Sequence, residues 1–408
     1  MYDWANQAFF TIVITFVFAA YFTNSVSESV EIGTASWGTA ISLSALAIAV
    51  LAPIFGAIAD RKGSLKFWIG PLTLICILST GLLWFIEPST EFVLLALILV
   101  GIANFSGEFA IVFYNALLPE ISPNKKLGRI SGWAWGLGYA GGIVCLVISL
   151  LMFVLPESAP FGLDHASSEH IRATSILVAL WFLIFSIPML IFTKDKKSTN
   201  TSIYTAVNEG LSSLFKTIRN FSSLGDIGRF LIARMIYIDG INTVFAFGGI
   251  YAAGTFGMDF QEILMFGILL NLTAGIGAVI FAWIDDWIGA KKTIIFCLIA
   301  LTILGFAGVI VESKTYFYVI GGLLGIFIGP VQSSSRSLMA RLTSPETRAE
   351  MFGLYALSGK ITAFVGPALF GWVTLAAGSQ RWGMATILVF LIAGLLIILP
   401  LKEPQKNS

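Results

Sequence analysis

The chain has 408 residues, of which 57% are hydrophobic and only 12% charged, about half the charged fraction of a soluble domain. A mean hydropathy of +0.88 excludes an ordinary water-soluble fold. A net charge of +1, with the cations scattered among loops, gives no basic surface for nucleic acid.

About 20 apolar residues cover the roughly 30 Å of a bilayer's hydrocarbon. The chain offers twelve such stretches, at about 2–24, 35–59, 65–86, 92–118, 129–155, 169–193, 229–256, 260–285, 292–311, 315–341, 349–376 and 382–401. Six precede a polar segment and six follow it. The sequence therefore predicts an all-α membrane protein of twelve transmembrane helices in two pseudo-symmetric six-helix halves. The halves are 1–193 and 229–408, joined by a linker over 194–228. The first apolar run lacks a basic flank and continues to full spanning length, so it reads as a span rather than a cleavable signal. Nineteen lysines and arginines fall in one set of loops, and three, Arg172, Lys314 and Arg381, in the other. That bias predicts that both termini and the linker are cytoplasmic.

Span one opens Tyr2-Asp3-Trp4-Ala5-Asn6-Gln7-Ala8-Phe9. Asp3 and Asn6, three apart, share a helix face. Spans two and three are joined by a charged turn, Gly56-Ala57-Ile58-Ala59-Asp60-Arg61-Lys62-Gly63-Ser64-Leu65-Lys66. Span four carries Glu108 near its middle, where a carboxylate is expensive and serves as a proton or cation site, or as a structural hydrogen-bond partner. Span five carries Gly132-x-x-x-Gly136 and Gly138-x-x-x-Gly142, a smooth face for close helix approach. On the outside, His165, Glu169 and His170 read as solvated loop residues rather than metal ligands. In the linker, Val207, Leu211, Leu214, Phe215 and Ile218 recur at helical spacing and predict an amphipathic helix on the inner membrane face.

The second half repeats these features. Tyr237-Ile238-Asp239-Gly240-Ile241-Asn242 in span seven sets Asp239 and Asn242 at the spacing of Asp3 and Asn6. Ala282-Trp283-Ile284-Asp285-Asp286-Trp287-Ile288-Gly289-Ala290-Lys291-Lys292 echoes the first charged turn, aligning Asp286, Gly289 and Lys292 with Asp60, Gly63 and Lys66. Asp239 lies about ten residues into its span, too deep for a helix cap. Arg234, five residues from Asp239, stands about 140° around the helix from it and cannot pair with it on one face; a snorkelling role and a cavity role both remain open. Gln332 in span ten and Lys360, about eleven residues into span eleven, complete the polar groups at depth. Cys76, Cys145 and Cys297 lie far apart in apolar runs and read as packing residues.

The turn Gly-x-x-x-Asp-Arg-x-Gly-x-x-Lys resembles the signature loop of the major facilitator superfamily. The resemblance implies a conformational latch at Gly56, Asp60, Arg61, Gly63 and Lys66, with a degenerate second copy at Asp286, Gly289 and Lys292. Four further stretches are similar to one branch of that superfamily: Tyr2-Asp3-Trp4-Ala5-Asn6, Asn115-Ala116-Leu117-Leu118-Pro119-Glu120-Ile121, Ser335-Arg336-Ser337-Leu338-Met339-Ala340-Arg341-Leu342 and Phe352-Gly353-Leu354-Tyr355-Ala356-Leu357-Ser358-Gly359-Lys360. The branch joins prokaryotic permeases of unassigned substrate with fungal vacuolar amino-acid effluxers linked to autophagy. The Gly-x-x-x-Gly-Pro pattern of drug–proton antiporters is missing from span five, which argues against drug efflux.

No phosphate-binding Gly-x-x-x-x-Gly-Lys-Ser/Thr loop occurs, so this chain does not hydrolyse ATP. Both histidines sit in an outside connection, which leaves an intramembrane enzyme without a base. The expected function is gradient-driven transport of a small solute, an amino acid or similar zwitterion, with a proton or sodium ion as coupling ion and no cofactor. The substrate and coupling residues are expected to be Asp3, Asn6, Glu108, Asp239, Asn242, Gln332 and Lys360. A passive uniporter or a non-transporting sensor on the same fold is the alternative.

Overall fold

The computed structural model describes residues 1–156, 160–195, 199 and 202–404. Lys196, Lys197 and Lys406, counted among the loop cations, lie outside the described residues. Among those described, 11 helices are long and apolar enough to cross a membrane. Six precede the linker: α1 (Tyr2–Val26), α2 (Val30–Lys62), α3 (Lys66–Phe85), α4 (Thr90–Ile121), α5 (Asn124–Val154) and α6 (Glu169–Phe192). The linker forms α7 (Ile203–Arg219). Then come α8 (Asp226–Phe256), α9 (Phe260–Ile288), α10 (Ala290–Ile310) and α11 (Lys314–Leu342). The remaining elements are α12 (Arg348–Ser358), α13 (Val365–Ala377) and α14 (Gln380–Ile398).

The continuous eleventh span expected from hydropathy is therefore corrected: it is two short helices, α12 and α13, around a turn. Pro367 contributes to the break, since it lacks an N–H and cannot bond the carbonyl of Ala363, although Pro53, Pro188 and Pro330 sit inside unbroken helices. Proline is at ease in the first turn of a new helix, and α13 begins at Val365. In hydrocarbon each backbone group freed by such a break needs a partner from elsewhere in the protein.

The chain forms two compact units. The first comprises Met1–Leu51, Gly63–Tyr114 and Leu137–Ser198; the second comprises Ala52–Lys62, Asn115–Gly136 and Thr199–Ser408. In the first, α6 packs on α1 and α3, with Phe9, Phe18, Phe22, Phe113 and Phe182 fully buried and Trp4 stacked on Trp181 at 5.5 Å between centroids. Helix α1 is wound in wide i→i+5 turns over Phe9–Phe16 and Phe22–Val26. In the second unit α9 and α11 run together so closely that a methyl group on Gly277, Gly325 or Gly329 would strike the backbone opposite. Small residues permit this approach where lipid supplies no hydrophobic drive for helix association. The outward faces carry large apolar side chains such as Leu43, Leu78, Leu151 and Val389, each more than half exposed, which suits a lipid solvent.

Candidate functional site

The last turn of α2 carries Asp60, whose carboxylate oxygens accept from the backbone N–H of Ala349 at 2.9 Å and of Glu350 at 2.8 Å. These are first-turn donors of α12, which have no partner inside their own helix, and the carboxylate also meets the positive end of the helix dipole. Gly56 makes the approach feasible: a Cβ there would lie 2.7 Å from the Ala349 carbonyl carbon. Gly63 then turns the chain with φ 91°, a value that costs a residue with a Cβ.

The second copy repeats this chemistry. Asp286, at the end of α9, accepts from the N–H of Gly128 at 2.9 Å and of Arg129 at 3.1 Å, at the start of α5, and Gly289 turns with φ 101°. Beside it the buried Asp285 pairs with Arg341 at 2.7 Å, and Arg341 reaches Glu403 at 2.8 Å. Trp287, which stands where the first copy has Arg61, is 83% exposed. Arg61 is also exposed, and its carbonyl accepts from the Thr199 hydroxyl.

The lysine alignment shifts by one residue. Lys66 Nζ donates to the Leu190 carbonyl at the end of α6, at 2.9 Å, and Lys291 Nζ donates to the Leu399 carbonyl beyond α14, at 2.7 Å. Lys291 thus does what Lys66 does, whereas Lys292 is exposed. One residue of slip at a helix start turns a side chain by about 100°, so only one of two adjacent lysines can reach the carbonyl. Two acids absent from the predicted set complete each copy. Asp195 accepts from Leu65 and Lys66 N–H, and Glu403 accepts from Ala290 and Lys291 N–H. Their signal was present: an acid directly follows a lysine after the last apolar residues of spans six and twelve.

Two of the quoted sequence stretches also meet here. Arg336 donates to the Ser131 hydroxyl at 2.9 Å, to the Ser131 carbonyl at 2.7 Å and to Asn115 Oδ1 at 3.3 Å. Arg348 is ion-paired with Glu120.

The polar groups at depth sort differently in the two units. In the first, the Tyr114 hydroxyl donates to the half-buried Asp3, and Gly138 of α5 lies against it. Asn6 is buried and Glu108 half-buried. In the second unit Asp239 is 1% exposed. Its Oδ2 accepts from Gly366 N–H at 3.2 Å, in the first turn of α13, while Oδ1 has no hydrogen-bond partner. Gly366 is required there, because a Cβ would collide with the Thr243 hydroxyl and crowd Asp239. Asn242, Gln332 and Lys360 are half-buried.

Arg234 resolves its open alternatives by staying inside, at 9% exposure. Its Nη1 donates to the Tyr355 carbonyl at 2.6 Å and to Ser358 Oγ at 2.8 Å, and the guanidinium lies 3.5 Å over the Tyr355 ring. The Tyr355 carbonyl is available because Gly359 N–H turns back to Ala356 instead. Helix α8 therefore holds both ends of the break in span eleven, a cation on the Tyr355 carbonyl in the last turn of α12 and an anion on the Gly366 N–H in the first turn of α13. Each charge matches the helix end it meets. Five residues advance a helix by about 7.5 Å and turn it by about 140°, so the two charges do not pair with each other. Lys360 stands in the turn itself.

Outside the spans, Asp164 accepts from Ala166 and Ser167 N–H, and these bonds hold its carboxyl below the usual range. His165 is exposed, but His170 is buried and stacked on it at 3.9 Å, which corrects the expectation of two solvated rings. Among the described residues no group of three or more His, Cys, Asp or Glu side chains is arranged to hold a metal ion.

Comparison with known proteins gives these arrangements a context. A family described as "Vacuole effluxer Atg22 like" matches residues 122–407. An uncharacterised MFS-type transporter of Bacillus subtilis is 27% identical over 415 aligned positions, covering 100% of this chain and 95% of that protein. Autophagy-related protein 22-1 of Penicillium rubens is 27% identical over 336, covering 71% of this chain and 55% of its own length. The chain thus spans about half the length of that fungal relative. Among solved structures, the fucose:proton symporter FucP in its outward conformation superposes with a TM-score of 0.76 at 14% identity, covering 99% of this chain and 97% of that one. The proton:xylose symporter XylE gives 0.72 at 13%, covering 100% and 94%. The chain belongs to the Atg22-like family and has the all-α, two-half fold of the major facilitators, that of a multi-pass membrane transporter rather than an enzyme.

Proposed function

We propose that this protein is a secondary transporter that moves a small zwitterion, most simply an amino acid, by alternating access, with a proton as coupling ion carried by Asp239. The observation that carries the reading is the Asp239 carboxylate, buried in a span with one oxygen bound to Gly366 N–H and the other without a partner. An ionised carboxylate in that setting is costly, and taking up a proton relieves the cost. Lys360, in the turn between α12 and α13, supplies a cation for a substrate carboxylate. Asn242 and Gln332, half-buried in the same unit, supply further polar groups for the solute. The description of the family as a vacuole effluxer, and of two fold neighbours as proton symporters, agrees in kind.

In this reading residues 1–193 and 229–408 are the two moving halves and 194–228 tethers them, with both termini and the tether cytoplasmic by the lysine and arginine bias, in the cell membrane. Asp60 and Asp286, with Gly56, Gly63 and Gly289 shaping their approach, are latches that must release in each cycle. The test is uptake by purified protein in liposomes offered amino acids, nucleosides and sugars under imposed proton and sodium gradients. The reading requires accumulation of an amino acid under the proton gradient. Equilibration without accumulation would make the protein a passive uniporter, and binding without uptake would make it a sensor.

A further inference from the structure

Helix α7 has two unlike long faces. Ala206, Gly210, Ser213, Leu214 and Thr217 form one: Ala206 and Leu214 are buried, and Gly210 lies so near Ala57 and Ile58 that a Cβ would sit 2.9 Å from the Ile58 nitrogen. On that face Ser213 and Thr217 donate to Glu350 at 3.0 and 2.5 Å. Glu350 is itself 1% exposed, and its N–H is one of the two that Asp60 holds. The other face carries Tyr204, Leu211, Phe215 and Ile218, exposed by 76, 41, 69 and 55%. At 100° per residue these four fall within about 60° of arc, opposite the docked stripe. Of the two cations in the last turn of α7, Arg219 borders that arc, about 40° beyond Phe215, and Lys216 lies about 60° further round on the same side.

The docked face fixes where the exposed one lies. Ala57 and Ile58 belong to the last two turns of the membrane-spanning α2, and Glu350 to the first turn of α12. A helix pinned to those residues lies at the depth where hydrocarbon gives way to headgroups, with its free face turned away from the protein. An apolar stripe with Arg219 at one border, and Lys216 beyond it on a long flexible stem, matches a lipid surface carrying negative charge. We propose that α7 is a lipid-docking helix whose outer stripe enters the acyl region while Lys216 and Arg219 bind anionic headgroups. Because its inner face holds Glu350, bilayer composition acts on the same residue that Asp60 caps.

The test places a nitroxide on a cysteine at position 215, and separately at 204, in the full-length protein; Cys76, Cys145 and Cys297 are buried and are kept. The protein is reconstituted in nanodiscs of phosphatidylcholine, with or without phosphatidylglycerol, and collision rates with oxygen and with a water-soluble nickel chelate are compared. The expected result is oxygen access with several-fold less nickel access at both positions, and a deeper position when phosphatidylglycerol is present. Lys216→Gln with Arg219→Gln abolishes the phosphatidylglycerol effect and leaves the phosphatidylcholine signal unchanged. Nickel access equal to that of an exposed loop site, or spin–spin broadening between labels of two copies, overturns the proposal. Persistence of the phosphatidylglycerol effect in the double variant overturns the headgroup assignment. A labelled protein that elutes as aggregate is replaced by the label at 211, which lies on the same stripe.

Discussion

The two charged turns and the two deep carboxylates are both repeats, yet they have aged differently. Asp60 and Asp286 do the same thing: each closes one span by accepting two backbone N–H groups at the start of another helix. Asp3 and Asp239 share a sequence spacing and a glycine neighbour but not an environment. Asp3 is half-exposed and held by a tyrosine hydroxyl, whereas Asp239 is buried and held by a backbone N–H at a helix break. A carboxylate that reads backbone dipoles needs only an acid and close approach, so the two copies match although the residues around them differ. A carboxylate at membrane depth is set by every neighbour, and here the neighbours differ.

The largest effect that separates the deep pair comes from adding one methyl group. Gly366→Ala drives a Cβ into the Thr243 hydroxyl, while at Gly138 the nearest atom, Asp3 Cβ, lies 3.3 Å away. Overpacking of the first kind costs on the order of 2 kcal/mol, and Gly138→Ala is expected to cost under about 1 kcal/mol. Thermal unfolding of the two variants in detergent checks this. Equal losses would mean that the two sites are packed alike after all.

Next in size is Arg234→Met, which removes the charged donor to the Tyr355 carbonyl and Ser358 Oγ and leaves that carbonyl only the Ser358 hydroxyl. Loss of hydrogen bonds to a charged group costs about 1.5–3 kcal/mol. The same unfolding measurement should show that loss, and Arg234→Lys should recover only part of it, since an ammonium lacks the planar stacking on Tyr355.

The two latches are expected to weaken equally. Asp60→Asn and Asp286→Asn each keep one oxygen acceptor, but the other oxygen becomes an NH2 group that cannot accept, so one of the two bonds is lost as well as the charge, a change of about 1–2 kcal/mol, or roughly tenfold in an equilibrium. Turnover should change by that factor while substrate affinity holds. A much smaller effect at Asp286 would restore the expectation from sequence that the second copy is degenerate. Smallest of all, Lys292→Met should be silent, whereas Lys291→Met and Lys66→Met should each lower the melting temperature slightly, by loss of a bond to a helix-end carbonyl.

The legible part of this molecule was the part where charge is scarce. Twelve apolar runs and two charged turns stand out against a chain that is 12% charged, so the fold class and the loop repeat could be read from composition and spacing. The partners of Asp60 and Asp286 could not, because a backbone N–H carries no letter in the sequence. The break in span eleven was signalled by Gly366-Pro367 but hidden by an unbroken apolar count. Arg234 illustrates the same limit: its spacing from Asp239 excluded a mutual pair, but its partners, Tyr355 and Ser358, lie about 120 residues away on another helix. Lys291 and Lys292 are the same letter twice, and only the helix start chooses between them.

The central claim is that Asp239 carries the proton that drives transport, and that its cap on α13 is a separate task. Asp239→Asn divides the two, since the amide oxygen still accepts from Gly366 N–H but the group no longer titrates. The decisive measurement compares two assays on that variant in one liposome preparation: net uptake of the amino-acid substrate under a proton gradient, and exchange of labelled for unlabelled substrate without one. Net uptake should fall by at least about a hundredfold, the effect of losing an essential proton-transfer group, while exchange persists near the wild-type rate. Gradient-driven accumulation at near wild-type level in Asp239→Asn would contradict the account.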